Sequence, residues 1–437
     1  MEREKRISYF TKLLKEREPY GSMEVWYKNS RQKMKVYEID LQYLVYNRYN
    51  GRIASFVKSY EKQTGNELDP TKEHDIKLIE KFLWDSNTTA NKSTEKSITE
   101  QGQLKYGIVT KDGVIIDGNR RALVLSKVFT NDKPVYFRAV VLEETLDENP
   151  KEIMRLEATY QMGEDAKVDY NPIEKYLKCK DMLALDFTPG DIGKAMGEKE
   201  STIQDYLDIM GIMDEYLNKL GHDGIYTRLD DTEGLFVNLN EYLQRYKGSL
   251  KNGHRTVSWK YDESDLNDLK LIYFDHIRHV YNTPKGEGLE AKECRVIGQT
   301  SKKGSFFSNK EVWEKFRDNH FKSVEPIRKH EPTVDNIRGQ NPTQDLDQIL
   351  RGKDEYWAKK VDSDLKKNMG LTSEALDNLN KRNAPLELLM SARAKLESID
   401  IDSKAFLEDE NVYSVVDELR KLTELFKTSI KGYQKRK

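Results

Sequence analysis

The stretch GIVTKDGVIIDGNRRALVL, Gly107 to Leu125, constrains the fold more than any other part of the chain. Two short apolar runs flank Asp112-Gly113, and an Asp-Gly step between such runs is a strong short-range hairpin signal. The second run ends at Ile116. Asp117-Gly118 then leads directly into helical spacing through Leu123, Val124 and Val128. Strand, turn, strand, turn, helix is the order of a mixed α+β domain. It also places two adjacent arginines, Arg120 and Arg121, at the entry to a helix.

The flanking segments extend the pattern. KVYEIDLQYLVYN (Lys35 to Asn47) begins with strand-like alternation, and EHDIKLIEKFLWD (Glu73 to Asp85) carries helical spacing at Ile76, Ile79, Phe82 and Leu83. SNTTANKSTEK (Ser86 to Lys96) is small and polar and reads as a loop. VYFRAVVLE (Val135 to Glu143) reads as another strand. Residues 35–150 therefore form an α+β domain, preceded over residues 1–34 by a charged amphipathic helix and a loop. Helical patterns dominate 151–221. Residues 222–340 are mixed, basic and aromatic, with no readable fold, and residues 341–437 return to helix. The last helix aligns Val412, Val415, Leu419, Leu422, Leu425 and Phe426 on one stripe, a pattern of plain core or of a partner or dimer helix.

Composition narrows the function classes. The chain has 437 residues, with Lys+Arg 73 against Asp+Glu 75, so no global charge draws it to nucleic acid and any basic footprint must be local. Its two cysteines, Cys179 and Cys294, lie far apart without ligand-spaced neighbours, which argues against a zinc site or a disulfide framework. No run approaches the roughly 18 apolar residues of a membrane span, and MEREKRISYF lacks a signal-peptide core. The expectation is a soluble cytoplasmic protein without a membrane partner.

Physically, the turn at Asp117-Gly118 suits a phosphate. Amides at a helix N-terminus lack intrahelical partners and the helix dipole favours an anion there. Gly118 allows close backbone approach, and Arg120 and Arg121 add charge-assisted donors. The competing reading is an ordinary turn with solvated charges.

Neighbouring motifs favour the first reading. Asn47-Arg48-Tyr49-Asn50-Gly51-Arg52, then Gly118-Asn119-Arg120-Arg121, then Glu157 to Gln161 (EATYQ), then Asp169-Tyr170-Asn171-Pro172-Ile173-Glu174, follow in one order. This succession resembles the ParB/sulfiredoxin-like superfamily, and within it the ParB branch with its N-P-x-Q-P-R, G-E-R-R, E-N-x-Q-R and D-L-N-P-I-E boxes. The resemblance covers roughly Lys35 to Leu220. It implies a ParB/sulfiredoxin-like nucleotide-binding domain that holds a nucleoside triphosphate, CTP or ATP, with magnesium. Nucleotide contacts would fall on Arg52, Asp117, Gly118, Asn119, Arg120 and Arg121. Glu157 would be the metal ligand, and Asn50 and Glu157 the catalytic pair. Two departures leave hydrolysis open: Asn50 is a methylene shorter than the family glutamine, and Ala158 stands where asparagine is usual.

Phe187 to Gly211 resembles the ParB helix-turn-helix. Thr188 caps the first helix with Asp191 in a capping box, Gly197 turns, and the second helix packs Ile203, Leu207 and Met210. Lys199, Ser201, Thr202 and Gln204 are the candidate DNA contacts. Duplex affinity rests on Lys and Arg neutralising phosphates. Between Asp186 and Glu215 eight acids face only Lys194 and Lys199, so a structural or protein-docking role competes with DNA. Positive charge gathers instead from Lys292 to Lys329, Lys302 and Lys303 included, interleaved with Phe306, Phe307, Trp313, Phe316 and Phe321. That mixture suits single-strand stacking or a solvated face over an aromatic core. The expected function is a ParB-like protein coupling nucleotide to DNA or a protein partner. The alternatives are a metal-dependent nuclease or phosphoryl-transfer enzyme, and a non-catalytic adaptor of a mobile-element or phage-defence system.

Overall fold

A computed structural model describes residues 1–129, 134–163, 171–252, 257, 259–300, 304–341 and 344–434. The chain divides into two compact units, Met1–Thr372 and Ser373–Lys437.

The first unit opens with α1 (Arg3–Glu16), β1 (Gly21–Tyr27), β2 (Ser30–Asp40) and β3 (Val45–Tyr46). Next come α2 (Ala54–Thr64), α3 (Glu73–Asp85), α4 (Thr88–Gln101), β4 (Gly107–Val109), β5 (Val114–Asp117), α5 (Asn119–Val128) and β6 (Tyr136–Val141). The strands form one sheet in the order β1-β2-β6-β4-β5-β3, with β3–β5 and β4–β6 parallel and the other pairs antiparallel. The β4–β5 hairpin turns at Asp112-Gly113 as its sequence requires. Side chains alternate across the sheet because strand periodicity is two. Val109, Ile115 and Ala139 face Phe10, Leu13, Ile98 and Val124 on one side. Ile108, Ile116 and Val140 face Ile153 and Leu156 on the other.

The structure differs from the sequence pattern in two places. Residues 1–34 are not a helix and loop appended to the domain: β1 and the start of β2 form a hairpin within the sheet, and α1 buries Phe10 and Leu13 in its core. The hairpin turn is Lys28-Asn29, both left-handed at φ 50 and 60, the twist a two-residue turn needs without the usual glycine. Ser86 to Lys96 is not a loop but enters α4. Asn87 caps it through Ala90 N, and Asn91 reaches back to the Leu83 and Trp84 carbonyls that end α3.

Beyond the sheet the first unit is helical: α6 (Pro150–Met162), α7 (Pro172–Ala184), α8 (Pro189–Met196), α9 (Glu200–Leu220), α10 (Glu233–Asn252), α11 (Glu263–Tyr281), α12 (Lys310–Lys329) and α13 (Val334–Gln340). The described residues of the 222–340 region, unreadable in sequence, are thus largely helix. Trp357, Ala358, Val361 and Leu365, from the first part of α14 (Leu346–Glu397), pack with Val324 of α12. The second unit contains the end of α14, α15 (Lys404–Leu407) and α16 (Glu410–Gln434). The apolar stripe of α16 is not plain core there: Val415, Leu422, Leu425 and Phe426 are exposed. Among the described residues no helix is long and apolar enough to cross a membrane.

Candidate functional site

β5 ends at Asp117, and Gly118 turns the chain into α5 at φ 104. A Cβ there would lie 2.7 Å from Phe137 Cζ, and one at Gly107 would lie 2.4 Å from the same atom. The Phe137 ring thus covers two glycines and fixes the turn on the sheet. Gly118 offers no side-chain cap, so the first amides of α5 have none from their own N-cap residue.

The loop 47–53 lies beside this turn and is held from three directions. Asn119 Oδ1 accepts from Asn47 N at 3.0 Å, while Asn119 Nδ2 donates to Ile115 O. Glu157 Oε1 accepts from Gly51 N at 3.0 Å. Glu174 accepts from Ser55 N and, at 2.6 Å, from Ser55 Oγ just past the loop. Within the loop, Asn50 Oδ1 accepts from Arg52 N and Asn47 Oδ1 from Tyr49 N. Side chains therefore take up amide after amide of a segment that regular structure does not satisfy.

Turn and loop enclose a cleft of about 360 Å³ lined by Asn50, Arg52, Asp117, Gly118, Asn119, Arg120 and Arg121. Its remaining wall comes from Ser93, Thr94, Ser97 and Ile98 of α4, from residues 102–105, and from Gln161 of α6. Every expected nucleotide-binding residue, and Asn50 with them, borders this one space. Arg52 and Arg120 also border a second cavity of about 300 Å³, with Phe56, Asp85, Asn171, Glu174, Asp230 and Asp231.

The lining residues differ in what they can offer a ligand. Arg121 Nη2 is engaged by Asp117 Oδ2 at 2.6 Å and by Tyr106 O at 3.1 Å, so this arginine first holds the turn together. Asn119 acts as a staple, both side-chain groups being bonded to backbone. Gln161 Nε2 donates to Ile116 O at 2.6 Å, which ties α6 to the strand before the turn.

Glu157 is placed differently from the expectation of a metal ligand or catalytic group. It is buried below the loop, outside the cleft lining. Its Oε2 pairs with Lys178 Nζ at 2.9 Å, both side chains being 2% exposed. Burial pushes its carboxyl upward in pKa, and Lys178 and the Gly51 amide oppose that. With both oxygens engaged, it serves to pin the loop to α6 and α7. Among the described residues no group of three or more His, Cys, Asp or Glu side chains could hold a metal ion.

The bihelical segment forms as its sequence suggests. Thr188 and Asp191 make the capping box, Gly197 turns at φ 66, and Ile192, Ala195, Met196 and Ile203 share a core with Cys179 and Met182 of α7. Lys199, Ser201 and Gln204 are exposed and Thr202 is half-buried. None of the four lines the cleft. Gln204 Nε2 is bonded to Asp208, and Gln244 of α10 to Asp205 and Asp208, so the outer face of α9 is acidic. Lys302 and Lys303 lie outside the described residues, as do Asp169 and Tyr170 of the motif before α7. The aromatic residues near those lysines are not a stacking platform. Phe306, Phe307, Trp313 and Phe316 are each 0% exposed, the core of the helical region.

Sequence reasoning missed the α4 wall, Gln161 as a cleft residue, and the buried Lys178 and Glu174. The α4 serines and threonines carried no signal beyond polarity. Glu174 belongs to the Asp169–Glu174 motif, which by itself assigns it no role. No protein-family model and no curated protein matches the chain.

Proposed function

We propose that the cleft binds a nucleoside triphosphate, CTP or ATP, with its phosphates against Arg52, Arg120 and the opening amides of α5. One observation carries this reading: Asn50 and Arg52 on one side and residues 117–121 on the other, distant in the chain, line one cleft of about 360 Å³. That volume falls in the range of small-molecule sites, roughly 300–1,000 Å³. Guanidinium groups beside a helix N-terminus are the donors a polyphosphate needs. Magnesium enters with the phosphates in this reading, as it commonly keeps water and phosphate ligands, and Glu157 is not called on to hold it.

The nucleotide acts as a switch. The loop beside it is anchored on α6 and α7, and α8 and α9 pack on those same helices. A ligand that prefers one arrangement of the loop shifts the population of both. The partner of that switch is DNA, met through Lys199, Ser201, Thr202 and Gln204, or a protein; a second copy of the chain bound through the C-terminal helices belongs to the same reading.

Calorimetry of the full chain with CTP, ATP and GTP, with and without magnesium, tests the site. Binding that Arg120→Ala removes supports it. Absence of heat with all three nucleotides refutes it.

A further inference from the structure

Beside the cleft, and sharing Arg52 and Arg120 with it, lies the second cavity, where the buried carboxylate of Glu174 has no part in the phosphate reading. We infer that Glu174 is a positioning residue for the Arg52 side of the cleft, and that it takes up a proton when a polyanion binds there. The inference rests on the phosphate reading only in its second half.

The geometry begins at Ser55. The carboxylate of Glu174, on α7, accepts from Ser55 Oγ at 2.6 Å and from Ser55 N at 3.2 Å, and it also takes the amide of Ala54. These are the opening amides of α2. Its N-cap Ile53 supplies no side-chain acceptor, so Glu174 caps the helix from outside. Arg52 stands immediately before that helix and lines both cavities. Ser59 Oγ of α2 donates to Ser55 O and accepts from Thr227 N, which fixes the same end of the helix. Glu174 therefore sets where α2 begins, and with it where Arg52 is presented.

Glu174 is only 2% exposed, and its charged surroundings are mixed. Arg52, Arg120, Asp85, Asp230 and Asp231 share the second cavity with it. The Lys58–Asp181 pair joins α2 to α7, and the buried Glu157–Lys178 pair joins α6 to α7. No lysine or arginine makes an ion pair with it among the described residues. Burial first, then the field of Asp230, pushes its pKa up to about 7, while the Ser55 and Ala54 donors hold it back. A polyanion at Arg52 and Arg120 adds negative charge beside this carboxyl and raises its proton affinity further. Binding is then linked to proton uptake.

The sign is fixed by linkage. An opening of the 47–55 segment that hydrates Glu174 returns it to an ordinary carboxylate range near 4.5. Such opening gains up to about tenfold in population per pH unit between that value and about 7, and then levels off. Glu174→Gln is a permanent mimic of the neutral form.

The test has two arms on the full chain, with thermal melts verifying the fold of each variant. In the ligand-free arm, hydrogen exchange is followed at Ala54 and Ser55 from pH 5 to 8.5, corrected for intrinsic rates. Protection should fall as pH rises towards 7 in the wild type and stay flat in Glu174→Gln. Ser55→Ala, which removes one donor, should move the levelling-off point upward. In the binding arm, inorganic tripolyphosphate and ATP are titrated at pH 6 and 8. The wild type should bind several-fold more tightly at pH 6, beyond the change seen in Glu174→Gln, whose affinity at pH 8 should match or exceed wild type. Identical exchange profiles in wild type and Glu174→Gln overturn the positioning role. Positive exchange results without binding of either probe overturn the phosphate reading and the linked proton uptake, and leave the positioning role standing. Equal pH dependence of binding in both proteins overturns the proton uptake alone.

Discussion

Gly118→Ala separates two forces that meet at the turn. The residue sits at φ 104 and ψ 16, where a side chain is strained regardless of its surroundings. That strain is worth roughly 1–2 kcal/mol. A Cβ would also press within 2.7 Å of Phe137 Cζ and 3.1 Å of Arg121 Nη2. The phenyl ring is fully buried in the sheet core and has little room to yield, so overpacking adds roughly 1–3 kcal/mol. The sum is about 2–5 kcal/mol. Gly197, which ends α8, supplies the control. Its φ is 66 and a Cβ there meets nothing within 4 Å, so Gly197→Ala should cost only the strain, about 1 kcal/mol. Urea unfolding followed by circular dichroism measures both, with equal m-values required for the comparison. The difference, about 1–4 kcal/mol, is mainly the overpacking against Phe137, with a smaller part from Arg121 and from the wider φ. Moving Arg121 Nη2 also disturbs its bonds to Asp117 and Tyr106, so Gly118→Ala should weaken nucleotide binding while Gly197→Ala does not. Equal destabilisation by the two substitutions, to within about 0.5 kcal/mol, would refute the claim that the ring closes over the turn.

Lys178→Met leaves Glu157 buried without its cation and should cost about 3–5 kcal/mol, whereas Glu157→Gln with Lys178→Met should recover much of that; denaturation midpoints of the single and double variants check it. Asn119→Ala leaves Asn47 N and Ile115 O without their buried partner and should cost about 2–4 kcal/mol by the same measurement, with weaker nucleotide binding. His222 is buried with both ring nitrogens lacking a hydrogen-bond partner among the described residues; burial, opposed by Asp354 and reinforced by Arg228 and Arg278, pulls it down to about 4. The unfolded chain then binds the extra proton first, so stability falls as pH drops below 6.5, by about 3 kcal/mol from this residue at pH 4. His222→Gln should flatten that limb of a pH series of melts, and an unchanged limb would count against the assignment. A chain truncated after Thr372 loses the exposed stripe of α16, and light scattering should show a lower oligomeric state than the full chain if a second copy covers that stripe.

What was legible in the sequence follows the range of the forces involved. The β4–β5 hairpin, the Gly118 turn and the start of α5 are encoded within a few residues, by Asp-Gly steps and a change of hydrophobic period. The capping box of α8 is equally local. The β1–β2 turn is hidden because Lys28 takes the first left-handed position, where glycine, asparagine or aspartate is usual, and Asn29 alone is a weak turn signal. The segment that became α4 looked like a loop because its serines, threonines and asparagines compete for backbone hydrogen bonds. It is a helix because Asn87 caps it, Asn91 bonds to α3, and Ile98 enters the sheet core, and two of those three contacts are tertiary. The aromatic stretch after residue 300 has a composition equally suited to base stacking or to a core, and only burial decides between them.

The same division runs through the candidate site. Residue types told which side chains could meet a phosphate, and Arg52 and Arg120 do border one cleft. They did not tell which polar residues hold the cleft in shape. Asn119, Glu157 and Glu174 all stand in motifs that invite a chemical role, yet each has its side chain bonded to the backbone of the 47–55 segment. The reason is physical. A loop that presents cations to a ligand must stay open on one side, so its amides are satisfied from the other, and short buried acceptors do that at least loss of packing. Carboxylates and asparagines beside a cationic cleft are therefore as readily its scaffold as its catalysts. Here the Lys178 partner of Glu157 and the Ser55 partner of Glu174, each more than twenty residues away from it in the chain, assign them to the scaffold.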